Sequence, residues 1–163
     1  MKALRPVLLV AAGALLATGV PAGCSRNVAS PAAQVLPETT RALLDRYEKV
    51  RAALAGDQLN DAKFQAEQLA SEAQLQAGKS EATEAVRDLA AAAATMAKED
   101  TVVRLRDDFK LVSAAAIKLA AGAPGYFTLN CPMTKDGDWL QTDTKVSNPY
   151  FGKSMQDCGV VKH

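Results

Sequence analysis

The chain has only one histidine and almost balanced charge, and each of these two features excludes a class of function. The single histidine, His163, leaves no axial ligands for haem, and no Cys-x-x-Cys-His attachment motif is present. A hydrolase would need a base beside a nucleophile, so we predict that the protein is not an enzyme. With 19 Lys and Arg against 18 Asp and Glu, no basic surface for nucleic acid is expected.

The longest apolar run without charge is also too short for a membrane helix. It extends from Pro6 to Val20, whereas a helix that crosses a bilayer takes about 20 apolar residues. Lys2 and Arg5 precede the run, and small residues follow it before Cys24. This order indicates a bacterial secretion signal over residues 1–23, so the protein is expected to act outside the cytoplasm, in the periplasm.

The end of this signal, Val-Pro-Ala-Gly-Cys at residues 20–24, resembles the lipobox of bacterial lipoproteins. The resemblance implies that Cys24 carries lipid and anchors the mature protein, and Ser25 after it favours the outer membrane. Pro21 stands where lipoboxes usually have an aliphatic residue, which leaves secretion without lipid as the alternative. Residues 24–37 are rich in Ser, Pro, Ala, Gln and Asn and predict a flexible tether.

Between residues 38 and 122, apolar residues recur every three or four positions in four successive stripes. The pattern predicts four helices, the first from Glu38 to Ala55, joined by short connections into an antiparallel up-and-down bundle. No ionisable residue interrupts a stripe, so the bundle is predicted to be a scaffold. Helix ends and caps are predicted at Gly56, Gly78, Ser80, Asp100 and Gly122.

Residues 123–163 have a different composition and predict a small C-terminal lobe of the same domain. Strand-like segments at 126–133 and 139–142 flank the turn signal Lys-Asp-Gly-Asp at 135–138, which predicts a β-hairpin. Trp139 is expected to anchor the core of this lobe. The predicted fold is therefore mainly α, a bundle of about four helices with a C-terminal hairpin lobe.

Four sulfur-containing side chains stand in the lobe, as Cys131 with Met133 and Met155 with Cys158. Thiolate and thioether ligands suit Cu(I), which is soft and poorly held by hard oxygen. An extended segment would direct residues 131 and 133 to the same face, and a helical turn would bring residues 155 and 158 together. We therefore predict that these four residues can form one metal site.

A disulfide between Cys131 and Cys158 is the competing interpretation. The compartment permits disulfides, and closing this loop would be worth roughly 3–4 kcal/mol in the chain-entropy model. Met133 and Met155 would then fill the core. The two interpretations exclude each other at any moment, because a metal binds thiolate and a disulfide has none.

A series of short motifs runs through the fourth helix and the lobe in this order: Phe109-x-x-x-Ser113, Cys131-Pro132-Met133, Trp139-Leu140, Asn148-Pro149-Tyr150-Phe151-Gly152, Met155 and Cys158-Gly159-Val160. The series resembles an uncharacterised periplasmic domain family, a domain of unknown function. That family occurs in small bacterial lipoproteins and is appended to adaptor subunits of copper and silver efflux pumps. The resemblance covers roughly residues 43–161 and is strongest in the lobe.

This resemblance implies that the protein handles heavy metals. It supports a metal site at Cys131, Met133, Met155 and Cys158, with Cu(I) as the ion and an efflux adaptor as the partner. The alternative from another class is an interaction module of the cell envelope, stapled by a disulfide and without metal.

Overall fold

The computed structural model describes residues 35–162 of the chain. The predicted secretion signal, the lipidation site Cys24 and most of the predicted tether lie outside these residues, as does His163. The described residues belong to one compact unit, so the bundle and the lobe share a domain.

The larger part of this unit consists of four α-helices, which confirms the predicted mainly α fold. They are α1 (Glu38–Ala55), α2 (Leu59–Ala77), α3 (Glu84–Met96) and α4 (Val102–Leu119). Consecutive helices pack against each other, and α1 also contacts α4. No helix within residues 35–162 combines the length and the apolar character that crossing a membrane requires.

The helices associate through the apolar stripes that the sequence predicts. Tyr47, Leu69, Leu89 and Phe109, one from each helix, are each no more than 1% exposed. Most of the buried positions of α2 are alanines, so its neighbours approach closely while little apolar area is buried. The larger side chains of α1 and α4 therefore contribute more to the core, on the side of the bundle where the lobe packs.

Two of the predicted helix caps are wrong. α3 is capped by Thr83, whose hydroxyl accepts a hydrogen bond from the backbone of Val86 at 3.3 Å, and not by Ser80. α4 is capped by Thr101, which accepts from Arg104 at 3.4 Å. The predicted cap of α4, Asp100, instead pairs with Lys63 of α2. The hydroxyl directly before each helix is the better placed acceptor.

The lobe contains a three-stranded antiparallel sheet in the order β2-β1-β3. Its strands are β1 (Phe127–Asn130), β2 (Asp138–Gln141) and β3 (Val160–Val161), with a short 3₁₀ helix (Gly152–Ser154) before β3. The predicted hairpin is confirmed, with shorter strands, and its turn contains Asp136 in a left-handed conformation at φ 55°. The sequence did not predict β3.

A hydrogen-bonded tyrosine joins the lobe to the bundle. The hydroxyl of Tyr47 accepts a hydrogen bond from the backbone N–H of Leu140 in β2 at 3.0 Å. The same hydroxyl lies 3.0 Å from the hydroxyl of Ser113 in α4. Because all three residues are buried, this group links α1, α4 and the sheet where water cannot compete.

Candidate metal centre

The pairing of β1 with β3 brings the two cysteines of the lobe together. Asn130 is opposite Val160 in this antiparallel pair, so Cys131, just after β1, faces the residues just before β3. The side chain of Cys158 lies there, close enough for the Cys131 thiol to affect its pKa, and it packs against the same core cluster that contains Cys131. Both cysteines are free thiols. The strand pairing therefore places the two cysteines next to each other in the lobe.

Backbone hydrogen bonds hold Cys131 in a tight turn. Its N–H donates to the carbonyl oxygen of Gly137 at 2.9 Å, and its own carbonyl accepts from the N–H of Thr134 at 3.3 Å. A Cβ atom at residue 137 would lie 2.9 Å from the Cys131 carbonyl oxygen, so the turn requires glycine there. The Cys131 side chain is fully buried, at 0% exposure.

Asn148 holds the loop that carries Cys158. Its side-chain amide donates to the carbonyl oxygen of Cys158 at 2.7 Å, and its backbone N–H donates to that of Gln156 at 2.8 Å. Its side-chain oxygen accepts from the N–H groups of Tyr150 at 2.8 Å and Phe151 at 3.3 Å. Asn148 is 0% exposed, so one buried side chain shapes the whole loop from residue 148 to residue 158.

The two methionines are close to the cysteines in sequence, but neither of them is fully buried. Residues 131–137 form a turn and not the extended segment on which the predicted alignment of Cys131 with Met133 depended. Met133 is 65% exposed, so its predicted alternative role as core filler is also wrong. Met155 is half-buried, and its carbonyl accepts a hydrogen bond from the N–H of Cys158 at 3.1 Å. The segment is a tight turn and not the predicted helical turn, because Met155 has an extended φ of −146°.

The environment of the pair favours the protonated form of Cys158. Burial raises the pKa of the Cys158 thiol, and the neighbouring Cys131 thiol raises that pKa further. A metal that binds here must displace the thiol proton, because only the thiolate is a ligand.

Four aromatic side chains connect this site with the bundle. Trp139 meets Tyr150 edge-on at 6.1 Å between ring centroids, and Tyr150 lies 6.1 Å from Phe109, which stacks on Tyr47 at 5.2 Å. Trp139 is 0% exposed, which confirms its predicted role as a core anchor. Its ring lies against Gly159, where a Cβ atom would come within 2.5 Å. The residue after Cys158 is therefore packed directly on this aromatic cluster.

Two arginines that the sequence did not predict as functional residues hold the loop at residues 147–149 against the bundle. Arg51 of α1 donates to the carbonyl oxygen of Ser147 at 2.7 Å. Arg106 of α4 donates to the carbonyl oxygens of Pro149 at 2.8 Å and Leu54 at 2.9 Å.

Arg106 also pairs with Asp57 at 2.6 Å, and this hydrogen bond holds the pKa of Asp57 below its usual value. Arg51 is only 7% exposed. A charged side chain is therefore buried beside the apolar stripe of α1. An arginine on a helix gives no signal in sequence when its partner is a distant backbone carbonyl.

Comparisons with protein-family models, curated proteins and solved structures found no match to this chain. Within residues 35–162, no group of three or more His, Cys, Asp or Glu side chains is placed to hold a metal ion. A metal at the Cys131–Cys158 pair would therefore have two thiolates from these residue types. Thioether ligands would come from Met133 and Met155, the nearest methionines along the chain.

Proposed function

We propose that the protein is a non-enzymatic periplasmic lipoprotein that binds a soft metal ion, Cu(I), in heavy-metal resistance or efflux. The observation that supports this proposal is that the pairing of β1 with β3 places Cys131 and Cys158 side by side, both as free thiols. Two thiols already side by side need little rearrangement to bind one ion, so little ordering entropy is lost on binding.

The chemistry of the pair favours Cu(I) over harder ions. Two thiolates and the neighbouring thioethers of Met133 and Met155 are soft ligands, and Mg²⁺ or Ca²⁺ would require several oxygen ligands. Met133 is exposed at the surface, where a thioether can move towards an arriving ion at small cost. Cys131 is buried and would hold the ion from the protein side.

The cellular setting of this proposal comes from the resemblances seen in the sequence. Lipidation of Cys24 would attach the protein to the outer membrane through residues 24–37. The likeness of the lobe to the domain appended to copper and silver efflux adaptors suggests such an adaptor as the partner that receives the ion.

A structural module stapled by a disulfide is the second candidate function. It is supported by the same placement of Cys131 beside Cys158, because two neighbouring thiols in an oxidising compartment can be joined with little movement. In that case the lobe and a helical face would dock on an envelope partner. The protein would then contain the Cys131–Cys158 disulfide throughout its life in the periplasm.

A Cu(I) titration of the reduced protein tests the leading proposal. The Cys24→Ser background leaves only the two cysteines of the lobe, and a coloured Cu(I) chelator serves as the competitor under anaerobic conditions. We expect one tightly bound ion per chain, with affinity reduced roughly 100-fold or more in Cys131→Ser and in Cys158→Ser. Binding should also release protons, because the thiol of Cys158 must ionise.

Methionine variants provide the matched comparison. Met133→Leu and Met155→Leu should each weaken Cu(I) binding if the thioethers are ligands, whereas Met96→Leu, in the bundle core, should leave it unchanged. Equal Cu(I) affinity of the parent and both cysteine variants would exclude the metal site. A count of free thiols on protein taken directly from cells decides the second candidate, because two free thiols exclude a permanent disulfide.

A further inference from the structure

The two cysteines of the pair differ sharply in their access to solvent. Cys131 is 0% exposed and belongs to the hydrophobic core. Cys158 is only partly buried and precedes β3, a strand at the edge of the sheet. Of the two cysteines, only Cys158 therefore has exposed surface through which a reagent in solution could approach.

We propose that the pair undergoes thiol–disulfide exchange with external organic disulfides, with Cys158 as the attacking thiol and Cys131 as the resolving thiol. In the first step the thiolate of Cys158 attacks one sulfur of the external disulfide. A mixed disulfide forms on Cys158, the external S–S bond breaks, and one external thiolate leaves. The proton of Cys158 passes to solvent or to that thiolate.

In the second step Cys131 attacks the sulfur of Cys158 in the mixed disulfide. The Cys131–Cys158 bond forms, the mixed disulfide breaks, and the second external thiolate leaves with the proton of Cys131. The protein loses two electrons as its two thiols become one disulfide, and the external disulfide gains them as it becomes two thiols. An external dithiol reverses both steps, again through Cys158.

Three features of the structure support this division of roles. Burial prevents an external disulfide from reaching Cys131, and the pairing of β1 with β3 places the two cysteines side by side for the second step. Hydrogen bonds from the Cys131 N–H to the Gly137 carbonyl oxygen and from the Asn148 amide to the Cys158 carbonyl oxygen hold the two backbones in place meanwhile.

Exchange at Cys158 would also regulate the site of the proposed function, because the disulfide contains no thiolate for a metal. The inference rests on the same thiol pair as that function, although its test requires no metal. Reduced protein would bind the ion, and oxidised protein would not bind it until a dithiol opened the bond.

The test uses the metal-free chain in the Cys24→Ser background and a chromogenic aromatic disulfide whose released thiolate is coloured. The parent should release two coloured thiolates per chain and end with an internal disulfide and no attached reagent. Cys131→Ala should release one and retain the reagent on Cys158. Cys158→Ala should react roughly 100-fold more slowly than Cys131→Ala, and should react fully once denatured.

A second measurement does not depend on any cysteine variant in the lobe. Limiting iodoacetamide is added to the folded parent, and the alkylated residue is located by peptide mass spectrometry. Alkylation mainly at Cys158 is expected. Alkylation of both cysteines at equal rates, or stable attachment of two reagent molecules to the parent, would overturn the assignment of roles.

The metal titration and the exchange assay fail independently. Ordered exchange through Cys158 without Cu(I) binding would remove the proposed function and keep this inference. Tight Cu(I) binding with equal reactivity of both thiols would do the reverse.

Discussion

Asn148 donates a hydrogen bond from its side-chain amide to the carbonyl oxygen of Cys158 at 2.7 Å, from a position without exposed surface. This bond joins the Asn-Pro corner to the residue that carries the accessible thiol. Because the same side chain also accepts from Tyr150 and Phe151, the position of Cys158 depends on a residue ten places earlier in the chain.

Asn148→Asp should therefore destabilise the lobe. The aspartate keeps the oxygens that accept from Tyr150 and Phe151 but cannot donate to Cys158, so one buried carbonyl loses its partner. We expect the free energy of unfolding to fall by about 1–3 kcal/mol, and by more if the buried carboxylate stays charged. Asn60→Asp, at an exposed position of α2, is the control and should change stability by no more than about 0.5 kcal/mol.

Urea unfolding of both variants measures this difference, and the alkylation rate of Cys158 should rise in Asn148→Asp as its loop opens more often. Equal stability of the two variants would show that the amide donor is dispensable.

Gly152→Ala tests the packing of the loop on the bundle. Gly152 has a φ of +56°, and a Cβ atom there would overlap the Asp57 carboxylate and the Arg106 guanidinium. Gly125 also has a positive φ, +82°, but a Cβ atom there would meet nothing within 4 Å. Gly125→Ala is therefore expected to cost only the conformational penalty, about 1–2 kcal/mol. Gly152→Ala should cost about 1–3 kcal/mol more.

Thermal and denaturant unfolding of the two alanine variants give this comparison. If both variants lost the same stability, the overlap of the new Cβ atom at residue 152 with Asp57 and Arg106 would not contribute to the loss.

Arg106→Lys should also weaken the packing of this loop on the bundle, because the hydrogen bonds of the guanidinium group are lost. Lysine cannot donate in the fixed fork that serves Pro149, Leu54 and Asp57 together. A loss of about 1–3 kcal/mol is expected, since buried carbonyl groups are left without donors. Arg104→Lys is the matched control, because the Arg104 side chain is 73% exposed and its pair with Glu99 is long, at 3.7 Å.

Denaturant unfolding again provides the readout, together with the rate at which Cys158 reacts. Similar small losses in Arg106→Lys and Arg104→Lys would contradict a docking role for Arg106.

The buried tyrosines predict a loss of stability at alkaline pH. Burial is the largest cause that raises the pKa of Tyr47 and Tyr150 in the folded protein far above the ordinary value of 10.0. As the pH rises through that value, the unfolded chain releases these protons and the folded chain keeps them. The free energy of unfolding is thus unaffected by these groups below pH 10.0 and falls above it, by up to about 1.4 kcal/mol per pH unit for each tyrosine.

Urea unfolding at neutral pH and about one unit above the ordinary tyrosine pKa measures this slope. Tyr47→Phe should lower stability at neutral pH, because the N–H of Leu140 loses its acceptor, and should flatten the alkaline slope. Tyr126→Phe, at a partly exposed position, should change the slope less. An unchanged alkaline slope in Tyr47→Phe would contradict the assignment.

The helices were predictable because their signal is local and repeated. Each stripe of apolar residues covers several turns, and glycines mark the ends of α1 and α2, so the bounds of α1 agree with the prediction. The caps were less predictable because Asp100 and Thr101 are both acceptable cap residues. The pairing of Asp100 with Lys63 of another helix is a tertiary contact that no local pattern reports.

The candidate site was only partly predictable. The cysteines and methionines stand out by residue type, and the hairpin turn at 135–138 is encoded locally. β3 has two residues, too few for an alternating pattern, yet its pairing with β1 is what brings Cys158 to Cys131. Arg51 and Arg106 could not be identified either, since their partners are backbone carbonyls more than 40 residues away.

By itself, the sequence determined a mainly α bundle, a hairpin lobe and four sulfur side chains in that lobe, because periodicity, turn residues and residue type are all local properties. Only the tertiary structure decided that Cys131 is buried, that Cys158 is accessible beside it and that Met133 faces solvent. Those properties depend on which distant segments cover each side chain. The exposure of these three side chains is fixed only when β3 pairs with β1 and the loop that contains Asn148 packs on the bundle.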